Sequence, residues 1–242
     1  MNRGVFIFLH LVYLSSSLRI GEGVGPNFPP AAYNPCSYPQ QVYYCYVSYL
    51  EKYGIRPING QLPYFSQLEK VLRYDLDFIN VCRDYDDLDK CLSGSDLCIS
   101  VESFSLFTMR DASYPEAVAY LQSYAIMEYA CGEGRMGFID NSVCMTANLR
   151  AASLPEQMHR CMNQDIAQSC DLARQMVDCV KTSMTTSCGY VAGVVSCGAA
   201  TNILRLEKDV DGFCLLDLTH QCNSHSLLIF LFPFTFTIFL VL

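Results

Sequence analysis

Fourteen cysteines are the residues of this 242-residue chain best equipped for chemistry. A thiolate can attack an electrophile, ligate zinc, or join a second cysteine in a disulfide. Nucleophilic use needs an activating base nearby, and only His159 and His220 lie clearly within the body of the chain. Zinc needs paired short spacings such as C-x2-C with His partners, whereas the closest spacing here is Cys91 to Cys98. An even cysteine set on an oxidising route reads instead as a disulfide framework. The candidates are Cys36, Cys45, Cys82, Cys91, Cys98, Cys131, Cys144, Cys161, Cys170, Cys179, Cys188, Cys197, Cys214 and Cys222. They allow seven bridges, and spacing does not dictate how they pair.

Other chemical groupings are less organised. The acidic run Asp84, Asp86, Asp87 and Asp89, with Asp75 and Asp77 upstream, lacks the ligand order, central Gly and final Glu of a calcium loop, and reads as a solvated helix face. Gly132 and Gly134 have neither the preceding strand nor the third glycine of a phosphate loop. Gly94-Ser95 lacks the rest of a nucleophile elbow, and no motif nominates a carboxylate pair. His159, beside Met158, Arg160 and Cys161, reads as a helix-surface residue. No catalytic residue, metal site or cofactor is expected. A net charge of −8 gives nucleic acid nothing to grip. Tyrosines cluster at positions 33, 38, 43, 44, 46, 49 and 53, which suits either the packing of a small stapled domain or a recognition surface.

The elements that position the cysteines are helical. Cys36/Cys45, Cys82/Cys91 and the series Cys161, Cys170, Cys179, Cys188, Cys197 repeat at nine residues. On an α-helix successive members face opposite sides and alternate members coincide. Cys161 and Cys179 would then share a face of one helix, with Cys170 opposite, beside a stripe of Met162, Ile166, Ala173, Val177 and Val180. Such a helix would be stapled to neighbours on both sides. Residues 40–53 suit a short helix ending at Gly54, although their many tyrosines would also suit a strand. Across 62–91, Phe65, Leu68, Leu72, Leu76 and Ile79 form one apolar stripe. Ser113-Tyr114-Pro115-Glu116 and Ser153-Leu154-Pro155-Glu156 are capping boxes that start helices over 114–129 and 154–181. Residues 182–187 read as a break, and 188–206 as a last helix whose Gly189 and Gly193 admit a close neighbour. Residues 93–111 carry no helical signal and would be pinned by Cys98.

Both ends differ in character from this body. Arg3, the apolar run from Gly4 to Leu14 and the small residues Ser15 to Ser17 form a secretory signal, cleaved after Ser17 as the first choice and Gly23 as the second. Residues 18–35 are a Gly/Pro-rich irregular lead-in. Leu227 to Leu242 is uncharged; as a helix its sixteen residues reach roughly 24 Å, short of a roughly 30 Å hydrocarbon core. Residues 223–242 therefore read as the signal for a glycosylphosphatidylinositol (GPI) anchor or as a short membrane segment. Asn223 and Ser224 are the attachment candidates. Gly212 would give a longer spacer but would sever Cys214 and Cys222 from the product.

The order of cysteines also carries a resemblance. Cys82 to Leu92 (Cys-Arg-Asp-Tyr-Asp-Asp-Leu-Asp-Lys-Cys-Leu), then Cys98, then Tyr129 to Glu133 (Tyr-Ala-Cys-Gly-Glu) and Cys144, resembles the nematode secreted cysteine-rich proteins of the chondroitin-proteoglycan-4 type. Cys161, Cys170, Cys179 and Cys188-Gly189 are similar to the later part of that domain. The resemblance implies an extracellular protein without enzymatic activity, and in some members a chondroitin chain attached at Ser-Gly. This chain has one such dipeptide, Ser93-Gly94.

Together these readings define an all-α, disulfide-stapled helical ectodomain over residues 36–222, between a cleaved N-terminal signal at 1–17 and a C-terminal apolar tail. They point to a non-enzymatic cell-surface or extracellular interaction protein, GPI-anchored at the outer face of the plasma membrane or secreted. Its partner would be an extracellular or transmembrane protein, and its hold on the membrane a lipid anchor or the C-terminal helix. Helical, disulfide-rich, GPI-linked co-receptors share this outline as an analogy of architecture. The alternative is a structural component of matrix or eggshell, proteoglycan-like and modified at Ser93.

Overall fold

The computed structural model describes residues 36–74, 78–109, 113–150, 161, 169–206 and 210–223. The expected signal, lead-in and apolar tail lie outside these, apart from Asn223. The described residues form nine α-helices and no strand: α1 Pro39–Glu51, α2 Phe65–Tyr74, α3 Phe78–Leu92, α4 Val101–Ser105, α5 Ser113–Cys131, α6 Arg135–Arg150, α7 Cys170–Cys188, α8 Tyr190–Leu204 and α9 Gly212–Asn223.

Two helices are buried nearly all round, and the rest pack about them. In α5 every residue from Ala119 to Met127 is buried, and in α8 Ala192, Val195, Cys197, Ala199, Ala200, Ile203 and Leu204 are. A helix apolar on every side must be a core helix, because no face is left for water. α2, α3 and α4 pack on α5, α6, α7 and α9 pack on α8, and α5 and α8 pack on each other. An aromatic cluster fills the α1–α5 region. Tyr46 meets Phe104 and Tyr120 edge-on at 4.9 and 5.5 Å, and Phe65 meets Tyr120 at 5.3 Å. Tyr120 is fully buried, and its hydroxyl donates to the Pro63 carbonyl at 2.9 Å.

Several sequence expectations change in physical detail. Of the Ser113 capping box, Glu116 serves another helix: its Oε2 accepts the Phe65 N–H at 2.5 Å, in the first turn of α2. The stripe over 62–91 is divided, and residues 75–77 lie outside the described set. Phe78 rather than Ile79 is buried after the division, so α3 turns Phe78, Val81, Cys82, Tyr85 and Leu88 inward and leaves Ile79 half-exposed. The Ser153 box lies outside the described residues. α7 begins at Cys170, where the Ser169 hydroxyl accepts the Leu172 N–H at 3.3 Å.

The expected break at 182–187 does not occur; those residues are helical. The chain turns at Gly189, whose φ of 90° suits glycine and whose N–H closes α7 on the Thr185 carbonyl. Cys161 and Cys179 do not share one helix. Eighteen residues of helix would hold them about 27 Å apart, yet they are bonded with a Cα–Cα distance of 5.4 Å.

α7 and α8 make the most extensive helix pairing among the described residues. Gly193 allows it, since a Cβ there would overlap Thr185 Oγ1 and lie 2.8 Å from the Lys181 carbonyl. α6 and α9 carried no helical expectation. Within 93–111 a 3-10 turn at Asp96–Cys98 and the short α4 form, capped by Ser100.

Candidate functional site

All fourteen cysteines pair, leaving no free thiol. Cys36–Cys98, Cys45–Cys91 and Cys82–Cys131 tie the lead into α1 to the 3-10 turn, α1 to α3 and α3 to α5. Cys144–Cys188, Cys161–Cys179, Cys170–Cys214 and Cys197–Cys222 tie α6 to α7, Cys161 to α7, α7 to α9 and α8 to α9. No bond joins a cysteine at or before 131 to one at or after 144. The molecule is thus two covalent islands held together by packing. The nine-residue spacing now has a geometric meaning: Cys170, Cys179 and Cys188 place one staple near each end and one at the centre of α7, to three different partners.

The seam between the islands combines apolar and polar contact. Phe78 of α3 stacks on Phe138 of α6 at 5.9 Å. Asn202 Nδ2 of α8 donates to the Ala125 carbonyl at 2.6 Å and to Glu128 Oε2 at 3.0 Å, and Arg205 pairs with the same carboxylate. Beside them a cleft of about 320 Å³ is walled by Tyr129, Glu133, Thr201, Asn202, Arg205, Thr219 and Asn223, among others. At its edge the Arg205 guanidinium faces Glu128. Sequence reasoning missed this group. Its one signal was Asn202 and Arg205, three residues apart at the end of an otherwise apolar helix.

The acidic run is a seam as well as a solvated face. Lys52, which caps the C-terminus of α1, lies 3.5 Å from Asp84 and 2.5 Å from Asp87, while Asp89 accepts the Tyr124 hydroxyl at 2.8 Å. Lys52 holds the Asp87 carboxyl below its ordinary range, first through the hydrogen bond and then through its charge. Among the described residues no group of three or more His, Cys, Asp or Glu is placed to hold a metal ion.

The tyrosine cluster divides. Tyr46 and Tyr49 are core, Tyr43 packs on Phe107 at 5.2 Å and Tyr53 on Tyr49 at 5.1 Å, while Tyr38 and Tyr44 are exposed. Tyr33 lies outside the described residues. Burial, the first cause in each case, pushes the hydroxyls of Tyr46, Tyr49, Tyr53, Tyr85, Tyr120 and Tyr124 well above the ordinary tyrosine range.

The modification candidates are at the surface where described. Ser93 is exposed in the turn after α3, its N–H donating to the Lys90 carbonyl at 3.3 Å. Asn223 is the exposed last residue of α9, directly after the bonded and buried Cys222; Ser224 lies outside the described residues. Cys214 and Cys222 are bonded back to α7 and α8, so a chain ending at Gly212 would lose two staples. His220 sits exposed on α9, and His159 lies outside the described residues. No helix of the described residues is long and apolar enough to cross a membrane. No protein family, curated protein or solved structure matches this chain. Seven disulfides fit an extracellular or secreted protein.

Proposed function

We propose that this chain is a non-enzymatic interaction protein of the extracellular face of the plasma membrane, tethered by a GPI anchor at Asn223 or Ser224. One observation carries the reading: the covalent framework closes at Cys222, directly before Asn223, and an uncharged apolar run follows from Leu227. A cut after Asn223 or Ser224 leaves every staple intact. A product held in the outer leaflet alone reaches the cell interior only through a transmembrane protein partner. The exposed Tyr38 and Tyr44 offer that partner aromatic contact area.

The test is release from intact cells expressing the full-length chain. Phosphatidylinositol-specific phospholipase C, followed by nitrous acid to reach acylated anchors, is expected to move the protein into the medium. Retention on the surface after both treatments refutes the anchor and favours residues 227–242 as a membrane segment. The proteoglycan reading keeps one supporting observation, the exposed Ser93-Gly94 turn. It requires that chondroitinase sharpen and speed the protein's migration on a gel, and that Ser93→Ala remove the effect.

A further inference from the structure

α9 buries Cys214, Leu218 and Cys222 against α7 and α8. Its other side carries the most exposed large apolar side chain among the described residues, Phe213 at 88%, with Leu216 at 58% one turn later. At about 100° per residue, Phe213, Leu216, His220 and Asn223 fall within an arc of about 80°. The acid at the edge of this arc, Asp217, is held by Arg174, whose Nη2 donates to Asp217 Oδ2 at 2.6 Å. The arc ends at the proposed point of attachment. An anchor on Asn223 or Ser224 starts at the end of this face, and Phe213 lies about 15 Å from Asn223 along the helix.

We propose that this face of α9 lies on the lipid surface, with Phe213 and Leu216 entering the boundary between headgroups and acyl chains. The inference rests on the membrane-tethered reading above. A net charge of −8 gives the protein no attraction to anionic headgroups, and two side chains do not hold a free protein of this size on a bilayer. A tether at the end of the same face keeps them at high effective concentration, so a weak insertion is populated. Docking α9 in this way fixes which side of the ectodomain faces a partner.

The chain contains no Trp, so Phe213→Trp introduces the sole indole. The full-length protein, made in eukaryotic cells and purified with its membrane attachment, is reconstituted into phosphatidylcholine vesicles. Flotation reads the tether, and indole emission reads the contact. Expected are co-flotation, a shift of emission to shorter wavelength, and loss of most of that emission to brominated acyl chains, with Leu216→Trp behaving alike. Hydrated emission quenched by aqueous iodide in floating vesicles overturns the proposal. So does shifted emission untouched by brominated chains, which would mean that a second copy or another part of the chain covers the face. Failure to float refutes the tether itself and the proposal with it, and is read separately.

Discussion

Gly193→Ala places one methyl group where α7 and α8 meet, and its cost can be worked from the contacts there. In an unobstructed helix interior alanine would gain about 1 kcal/mol over glycine. Here the new Cβ would overlap Thr185 Oγ1, and it would stand 3.1 Å from Thr185 Cβ and 2.8 Å from the Lys181 carbonyl. The hydroxyl can rotate away; the carbonyl is backbone, and relieving it requires the two helices to separate. Overpacking of this kind costs about 1–3 kcal/mol, and more than the usual part of that range is needed when backbone must shift. The expected net result is a loss of about 1–2 kcal/mol. Guanidinium unfolding followed by far-ultraviolet circular dichroism, with disulfides intact, measures it as a lower midpoint at unchanged slope. Gly212→Ala is the control, since a Cβ there meets nothing within 4 Å. Adding Thr185→Ala to Gly193→Ala should recover part of the loss, because the carbonyl contact stays. Stability of Gly193→Ala equal to or above wild type would refute the close packing of α7 on α8.

Other consequences are open to measurement. Burial favours the protonated hydroxyls of Tyr46, Tyr49, Tyr53, Tyr85, Tyr120 and Tyr124 in the folded state, so stability is intact below the unfolded tyrosine pKa of about 10 and falls as pH rises above it. In a chain without Trp, tyrosinate absorbance should therefore rise in a cooperative step together with loss of helicity; smooth ionisation with helicity retained contradicts the burial. Glu116→Leu removes the buried acceptor of the Phe65 N–H and should cost about 1–3 kcal/mol in urea unfolding. Glu116→Gln, which keeps an acceptor, should lose less, and equal losses would speak against that bond. Replacing both Cys170 and Cys214 by Ala opens a bond spanning 44 residues and should lower stability by about 2–4 kcal/mol. An unchanged unfolding midpoint would mean that packing and the Cys197–Cys222 bond hold α9 without it.

The helical class and the role of the cysteines were legible in the sequence because both rest on local signals: periodic apolar residues and an even thiol count. The ending of α1 near Gly54, the start of α5 at Ser113 and the close approach at Gly193 were legible for the same reason. Pairing was not legible, since it depends on which helices meet. The nine-residue series invited one long helix, and only the Cys161–Cys179 bond shows that these two cysteines do not share one. The supposed break at 182–187 is the reverse case. Its threonines and serines are weak helix formers, but packing on α8 overrides that preference until Gly189 ends the helix. The cleft at Tyr129, Asn202 and Arg205 joins residues from both islands, and such a meeting leaves no trace in spacing.

The division of the disulfides between residues 36–131 and 144–222 also has a meaning in time. A chain entering an oxidising lumen N-terminus first presents its first six cysteines, which are one another's native partners, before Cys144 enters. Those three bonds can close around α5 while the later cysteines have not yet entered the lumen to compete. The remaining eight cysteines then pair among themselves, so one problem of fourteen thiols becomes a six-thiol problem followed by an eight-thiol problem. Synthesis at about 5–20 residues per second gives the first island roughly a second or two of separation across the thirteen residues from Cys131 to Cys144. α5 is then already in place as the surface on which α8 docks.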